Sequence, residues 1–184
     1  FNGDGVDDLF VAAAGMDTNP FPGEQNVLLL SRGAGSHVDA SASNLPQLID
    51  FAHGANAGDI DGDGDLDILV VTHQGVSPTD NYFLINDGTG RFSFSAGRNH
   101  MPASAARTNR FLTGRLQDVK SDGNVDMLLP GNGDDRQASL LLYGDGQGRF
   151  DGTVTLPRSA FGSQTWTTDI DVVDLDRDGV RDLV

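Results

Sequence analysis

One acidic segment, Asp59-Ile60-Asp61-Gly62-Asp63-Gly64-Asp65-Leu66-Asp67, runs directly into the apolar stretch Ile68 to Val71, and the same pattern returns along the chain. Its relatives are Asn2-Gly3-Asp4-Gly5-Val6-Asp7-Asp8 before Leu9-Phe10-Val11, Asp118 to Asp126 before Met127-Leu128-Leu129, and Asp174 to Asp182 before Leu183-Val184. The three full copies start at residues 59, 118 and 174, so the spacing is 59 and then 56 residues. A lone Asx-Gly pair marks a turn in any β protein. A turn alone does not need five carboxylates within nine residues, nor four copies with one inner spacing. Self-similarity at this period is the signature of an array of supersecondary units, each stacked on the next.

The inner spacing points to a hard cation. Calcium takes six to eight oxygens at roughly 2.3 to 2.6 Å, and alternating Asp positions turn several carboxylates toward one point of a short loop. In the second loop Asp59, Asp61 and Asp63 stand at positions 1, 3 and 5, the backbone carbonyl of Asp65 is at position 7, and Asp67 closes at position 9. Gly64 at position 6 permits a backbone conformation with positive φ. A helical calcium hand would close with Glu at position 12 between amphipathic helices. Here the closing Asp comes at position 9, and the aliphatic residues after it read as a strand, so the loop is expected to be the turn of a β-hairpin.

The four copies differ. The fourth carries the full set, Asp174, Asp176, Asp178 and Asp182, with the carbonyl of Val180 at position 7. The first begins inside its loop and offers Asn2, Asp4, Asp8 and the Val6 carbonyl. The third offers Asp118, Asp122, Asp126 and the Asn124 carbonyl, but its position 3 is Lys120, the only lysine in the chain. An ammonium there can neutralise the three carboxylates in place of a metal. The third loop is therefore expected to bind calcium weakly or not at all.

Of 184 residues, 27 are acidic and 12 basic, and cysteine is absent. Glu24 is the only Glu, and Gly, Asp, Asn, Ser and Thr dominate the polar set, which favours turns and strands over helices. Fifteen of the acidic residues lie in the four loops, so the net charge of −15 is largely a property of these sites. Without cations the clusters repel and weaken the fold. Nucleic acid is disfavoured as a partner, because no basic patch offsets the acidic field. No apolar run approaches the roughly 18 residues of a membrane span.

A second motif keeps phase with the first: Phe83-Leu84-Ile85-Asn86-Asp87-Gly88-Thr89-Gly90-Arg91-Phe92, then Leu141 to Phe150, with a weaker Leu28 to Gly35 upstream. It reads as strand, Gly-rich turn, strand. One repeat is then a strand from Ala55 to Asp59, the acidic loop, a strand from Leu66 to Val71, a variable connector, a strand from Tyr82 to Asn86, a turn, and a strand from Arg91 to Ser95. Four short strands in under 60 residues describe a propeller blade. The expected fold class is all-β, with about three four-stranded blades and repeats of roughly 1–54, 55–113, 114–169 and a partial 170–184.

The pattern Asp-x-Asp-x-Asp-Gly-x-x-Asp-Leu, followed by Asn-Asp-Gly-x-Gly-x-Phe, resembles the FG-GAP-like (VCBS-type) repeats of integrin-α-like β-propellers. The resemblance implies a calcium-binding propeller of a secreted or cell-surface protein, periplasmic and outer-membrane settings included, that supports adhesion by binding a protein or carbohydrate. The chain lacks the Gly-Ala-Pro signature, reading Ala14-Gly15, Gln74-Gly75 and Pro130-Gly131 in its place, which brings it nearer the bacterial extracellular branch. Propellers usually have four to eight blades. The expectation is therefore a piece of a longer chain whose other blades complete the ring.

For catalysis the sequence offers little. His37, His53, His73 and His100 show no zinc spacing, and there is no Gly-x-Ser-x-Gly elbow and no Cys nucleophile, so no catalytic residue is assigned. The alternative class is a secreted polysaccharide-degrading enzyme, because some lyases are built on similar propellers. Phe51, Arg110 and Trp166 each stand eight residues before the first Asp of a loop, where an aromatic either packs between blades or stacks on a sugar. Specificity is expected in the connectors Met16 to Gln25, Gly75 to Asp80 and Gly131 to Gln137, since loops on a rigid scaffold carry recognition.

Overall fold

The computed structural model describes residues 1–73, 80–107, 111–131, 138–156 and 169–184. Within them the protein is all-β, built from antiparallel sheets that follow one another along the chain. The second repeat is a four-stranded meander of β4 (Ala52–Gly58), β5 (Asp67–Thr72), β6 (Tyr82–Asn86) and β7 (Phe92–Ala96), paired in that order. The third repeats it with β8 (Arg115–Gln117), β9 (Asp126–Leu129), β10 (Leu140–Gly144) and β11 (Phe150–Thr155). Before them lies a three-stranded sheet of β1 (Leu9–Val11), β2 (Val27–Ser31) and β3 (His37–Asp39). After them comes a pair, β12 (Val172–Val173) and β13 (Asp182–Leu183).

The strand after each acidic loop is apolar at successive positions because both of its faces are covered. In β5, Ile68 and Val70 pack with Leu28, Tyr82, Leu84 and Phe92 in the seam toward the first sheet. Leu69 and Val71 turn the other way, onto Phe83, Phe111, Met127, Leu129 and Phe150 in the seam toward the third. Likewise Leu128 of β9 joins Leu141, Ile170 and Val172 against the last pair. Each fully buried aliphatic or aromatic side chain contributes about 1.5 to 3 kcal/mol, so the stack of sheets is held mainly by these double-faced central strands.

The first strands of consecutive sheets are tied by polar groups. Asn56 Oδ1 accepts the Leu116 amide at 2.8 Å, Arg115 meets Asp171 at 2.7 Å, and the Gln117 amide donates to the Val172 carbonyl at 3.3 Å. Two details depart from the pattern reading. β4 starts at Ala52, three residues before the expected Ala55, through the small and polar residues Ala52, His53 and Gly54 that carry no apolar signal. Short helical turns α1 (Ser41–Asn44), α2 (Ala103–Ala106) and the 3₁₀ turn η1 (Gly97–Asn99) also occur, and each follows a repeat's last strand.

Phe51 is 3% exposed and packs edge-on against Phe21, with His53 alongside, so it fills the packing role and not the sugar-stacking one. Arg110 and Trp166 lie outside the described residues, as do residues 75–79 and 132–137 of the connectors.

Candidate metal centre

The four acidic loops share one backbone. Position 6 has positive φ in every copy, at Gly5, Gly64, Gly123 and Gly179. So does position 4, where Gly3 and Gly62 are replaced by Ser121 and Arg177 at φ of 58° and 64°. A side chain in this conformation costs roughly 1 to 2 kcal/mol, so the third and fourth loops carry strain that the first two avoid. Position 7 donates its amide to the position 5 side chain each time: Val6 to Asp4 at 2.9 Å, Asp65 to Asp63 at 2.9 Å, Asn124 to Asp122 at 3.0 Å and Val180 to Asp178 at 2.7 Å.

The position 1 carboxylates fold back over the loop. Asp59 accepts the amides of Gly62 and Gly64, Asp118 those of Asp122 and Gly123, and Asp174 those of Asp178 and Gly179. The closing Asp acts as a bracket between two turns, a role the loop pattern alone did not reveal. One oxygen of Asp67 takes the Ile60 amide at 3.3 Å and the other takes the Asn86 amide at 2.8 Å. Asp126 takes Val119 and Lys120 on one oxygen and Gly144 on the other, and Asp182 takes Leu175. In the first loop Asp8 takes Ser31, and its second oxygen meets the amino group of Phe1, which stands at position 2 where the other loops supply an amide.

Among the described residues, two groups of three carboxylates each bring oxygens within 4.8 Å of one another: Asp59, Asp61 and Asp67, and Asp174, Asp176 and Asp182. These are positions 1, 3 and 9 of the two loops with a complete acidic set. A separation of this size matches oxygens on opposite sides of one calcium ion. Asp63 and Asp178 stand outside the groups and hold the turn. In the second loop Asp61 Oδ1 is buried with no hydrogen-bond partner, an acceptor that a cation would satisfy. Burial, and then the charges of Asp63 and Asp59, raise the Asp61 carboxyl above the usual range. Burial pushes Asp67 up to about 6 against the pull of the Asn86 and Ile60 amides. The donor set therefore fits calcium on geometry, chemistry and charge.

The third loop is neutralised from within. Lys120 Nζ lies 2.7 Å from Asp122 and 3.9 Å from Asp126, and 4.8 Å from the centre of the Tyr143 ring. Its hydrogen bond holds the Asp122 carboxyl below the usual range, the reverse of the shift at Asp61. Among the described residues Asp118, Asp122 and Asp126 are not drawn into a three-carboxylate group, and Asp4 and Asp8 of the first loop belong to none.

Each Gly-rich turn packs on the acidic loop of its own repeat through the position 7 side chain. A Cβ on Gly88 would stand 2.4 Å from Asp65 Oδ2, and one on Gly146 would stand 2.3 Å from Asn124 Oδ1. The position 7 side chain thus lies against that turn. Arg91 of this turn donates to the Ser43 carbonyl at 3.2 Å.

Residues 1–70, which hold the first two loops and the strands after them, match the family model of the FG-GAP-like repeat. This segment is an FG-GAP-like repeat. A search of curated proteins found no match. The FG-GAP-like repeat points to a β-propeller-type scaffold, and successive meander sheets with double-faced central strands are in keeping with it. No helix among the described residues is long and apolar enough to cross a membrane.

Proposed function

We propose that this chain is a calcium-stabilised β-propeller scaffold of an extracellular or cell-surface protein, whose connectors bind a protein or glycan. The observation that carries the reading is the convergence of Asp59, Asp61 and Asp67, with one Asp61 oxygen buried and unpartnered. Asp59, Asp61, Asp63 and Asp67 with the Asp65 carbonyl would hold one ion. Asp174, Asp176, Asp178 and Asp182 with the Val180 carbonyl would hold another. The first loop offers Asn2, Asp4, Asp8 and the Val6 carbonyl, but its carboxylates join no three-carboxylate group among the described residues. In the third, Lys120 takes the cation's place among Asp118, Asp122 and Asp126.

Calcium is structural in this reading. When bound it supplies the positive charge that lets buried carboxylates stay ionised, and the chain's own residues do the rest. Position 1 closes the loop, position 5 fixes its turn, and position 9 joins it to the next hairpin. Dissociation constants on the order of 10⁻⁴ to 10⁻³ M suit extracellular modules of this kind.

The test is thermal unfolding in chelator and then in calcium. At a calcium concentration 100-fold above the dissociation constant each site adds about 2.7 kcal/mol. Two sites should raise the melting temperature by on the order of 10 °C. Magnesium, which keeps its waters and demands tight octahedral geometry, should add much less. Identical melting with and without calcium would overturn the reading.

A further inference from the structure

The Gly-rich turn of the third repeat lies across the acidic loop of the second. The Gly148 amide donates to the Ile60 carbonyl at 2.8 Å, and a Cβ on Gly148 would come within 3.6 Å of the Asp61 Cβ. On the other side of this contact a Cβ on Gly62 would stand 2.9 Å from the Gly146 carbonyl oxygen. Asp61, whose Oδ1 is buried and unpartnered, therefore sits beneath a turn that belongs to the next repeat.

One side chain of the second repeat adds to this hold on the turn. His100 follows η1 in the second repeat, with Nδ1 2.5 Å from the Gly148 carbonyl oxygen and Nε2 2.6 Å from Ser95 Oγ. A carbonyl can only accept, so Nδ1 carries a proton, and in the neutral ring Nε2 then accepts from the Ser95 hydroxyl. The His100 carbonyl also takes the Phe150 amide at 2.7 Å, and the ring lies 4.9 Å from that of Phe83, which itself stacks on Phe150.

The seam before it has the same clamp made from a different residue. Asn44 ends α1 in the first repeat, 56 residues before His100, and its Nδ2 donates to the Gly90 carbonyl at 2.9 Å. Gly90 and Gly148 are the same position of their turns, and the Gly90 turn lies on the first acidic loop through Asn2 and the Phe1 carbonyl. An amide and an imidazole thus perform one task at matching places. Imidazole Nδ1 and amide Nδ2 are each bonded to Cγ, so their reach from the backbone is similar.

We propose that His100 is a positioning residue for the second loop: by holding the Gly144 to Phe150 turn over Asp59 to Asp67, it makes that cation site a joint property of two repeats. This rests on the reading of the loops as calcium sites. A loop held in shape before the ion arrives loses less on binding it, so this clamp should raise the affinity of the second loop.

The test is calorimetric calcium titration of the full chain, with Asp61→Asn identifying the heat of the second loop and Asp176→Asn that of the fourth. His100→Ala is expected to weaken the second loop on the order of tenfold and leave the fourth unchanged, while His100→Asn, which copies Asn44, keeps the parental value. Unchanged second-loop affinity in His100→Ala overturns the proposal and leaves the calcium reading standing. An equal loss at both loops also overturns it, because that marks general destabilisation. A parent chain that takes up no calcium at either loop defeats the calcium reading itself, and the proposal with it.

Discussion

Asp126→Ala is expected to lower folding stability by about 3 to 5 kcal/mol, equally in calcium and in chelator. Asp126 is 0% exposed and accepts three amides, from Val119 and Lys120 at the start of its loop and from Gly144 at the next turn. Alanine leaves the buried Gly144 amide and the half-buried Val119 and Lys120 amides without this partner, and a buried donor left unsatisfied costs about 1 to 3 kcal/mol, a half-buried one less. The third loop is the right place for the measurement because Lys120 occupies it, so a loss there reports the bracket and not a metal. Asp122→Ala is the control. Its carboxylate is exposed and paired with a lysine one third exposed, an arrangement that water screens and that contributes little to stability. Urea unfolding of both variants decides the matter, and an Asp126→Ala protein as stable as the Asp122→Ala one would refute the bracket.

Asp50→Asn should have the opposite sign and raise stability at pH 7 by about 2 to 3 kcal/mol. Asp50 is 2% exposed, and neither carboxylate oxygen meets a partner in good hydrogen-bonding geometry. Burial pushes its carboxyl up to about 6, against a weaker pull from the nearby Tyr82 hydroxyl and Asn26 amide. A carboxyl with a folded value near 6 and an unfolded value of 3.8 favours the folded state when protonated. That contribution is complete below about pH 4, declines as pH rises through 6, and is absent at pH 7. The difference of about two units is worth roughly 3 kcal/mol at most. Asparagine is neutral throughout and escapes the penalty, less what its own buried amide costs. Urea unfolding in calcium-free buffer at pH 4, 5, 6 and 7 should show the variant's advantage growing with pH. Subtracting parent from variant removes the parallel titration of Asp67. A variant less stable than the parent at pH 7 would mean that Asp50 makes an ionic contact worth keeping.

Much of the architecture was legible because it is local and repeated. The run Ile68 to Val71 shows no alternation, and it reads as a strand only because of its length and the turn chemistry before it. The structure explains the run by covering both faces. The alternating Asp positions showed which loops hold a complete acidic set, and Lys120 set the third apart. Other features were not legible because they join residues far apart in sequence. Nothing near Asp126 in the chain announces that Gly144 will donate to it, and nothing near His100 points to Gly148. Position 4 of the loops could have been found, since Gly3 and Gly62 share it, but Ser121 and Arg177 hide the requirement for positive φ. Asp50 is the hardest case. Just before a strand it looks like another solvated aspartate, and only the seam between the first two repeats buries it.

The central claim is that two of the four loops, the second and the fourth, are calcium sites of this chain. Equilibrium dialysis of chelator-stripped protein against calcium tests it most directly. The account predicts two ions per chain, one after either Asp61→Asn or Asp176→Asn, and three after Lys120→Asp. Folded protein that binds none, or a count that ignores these substitutions, would contradict it.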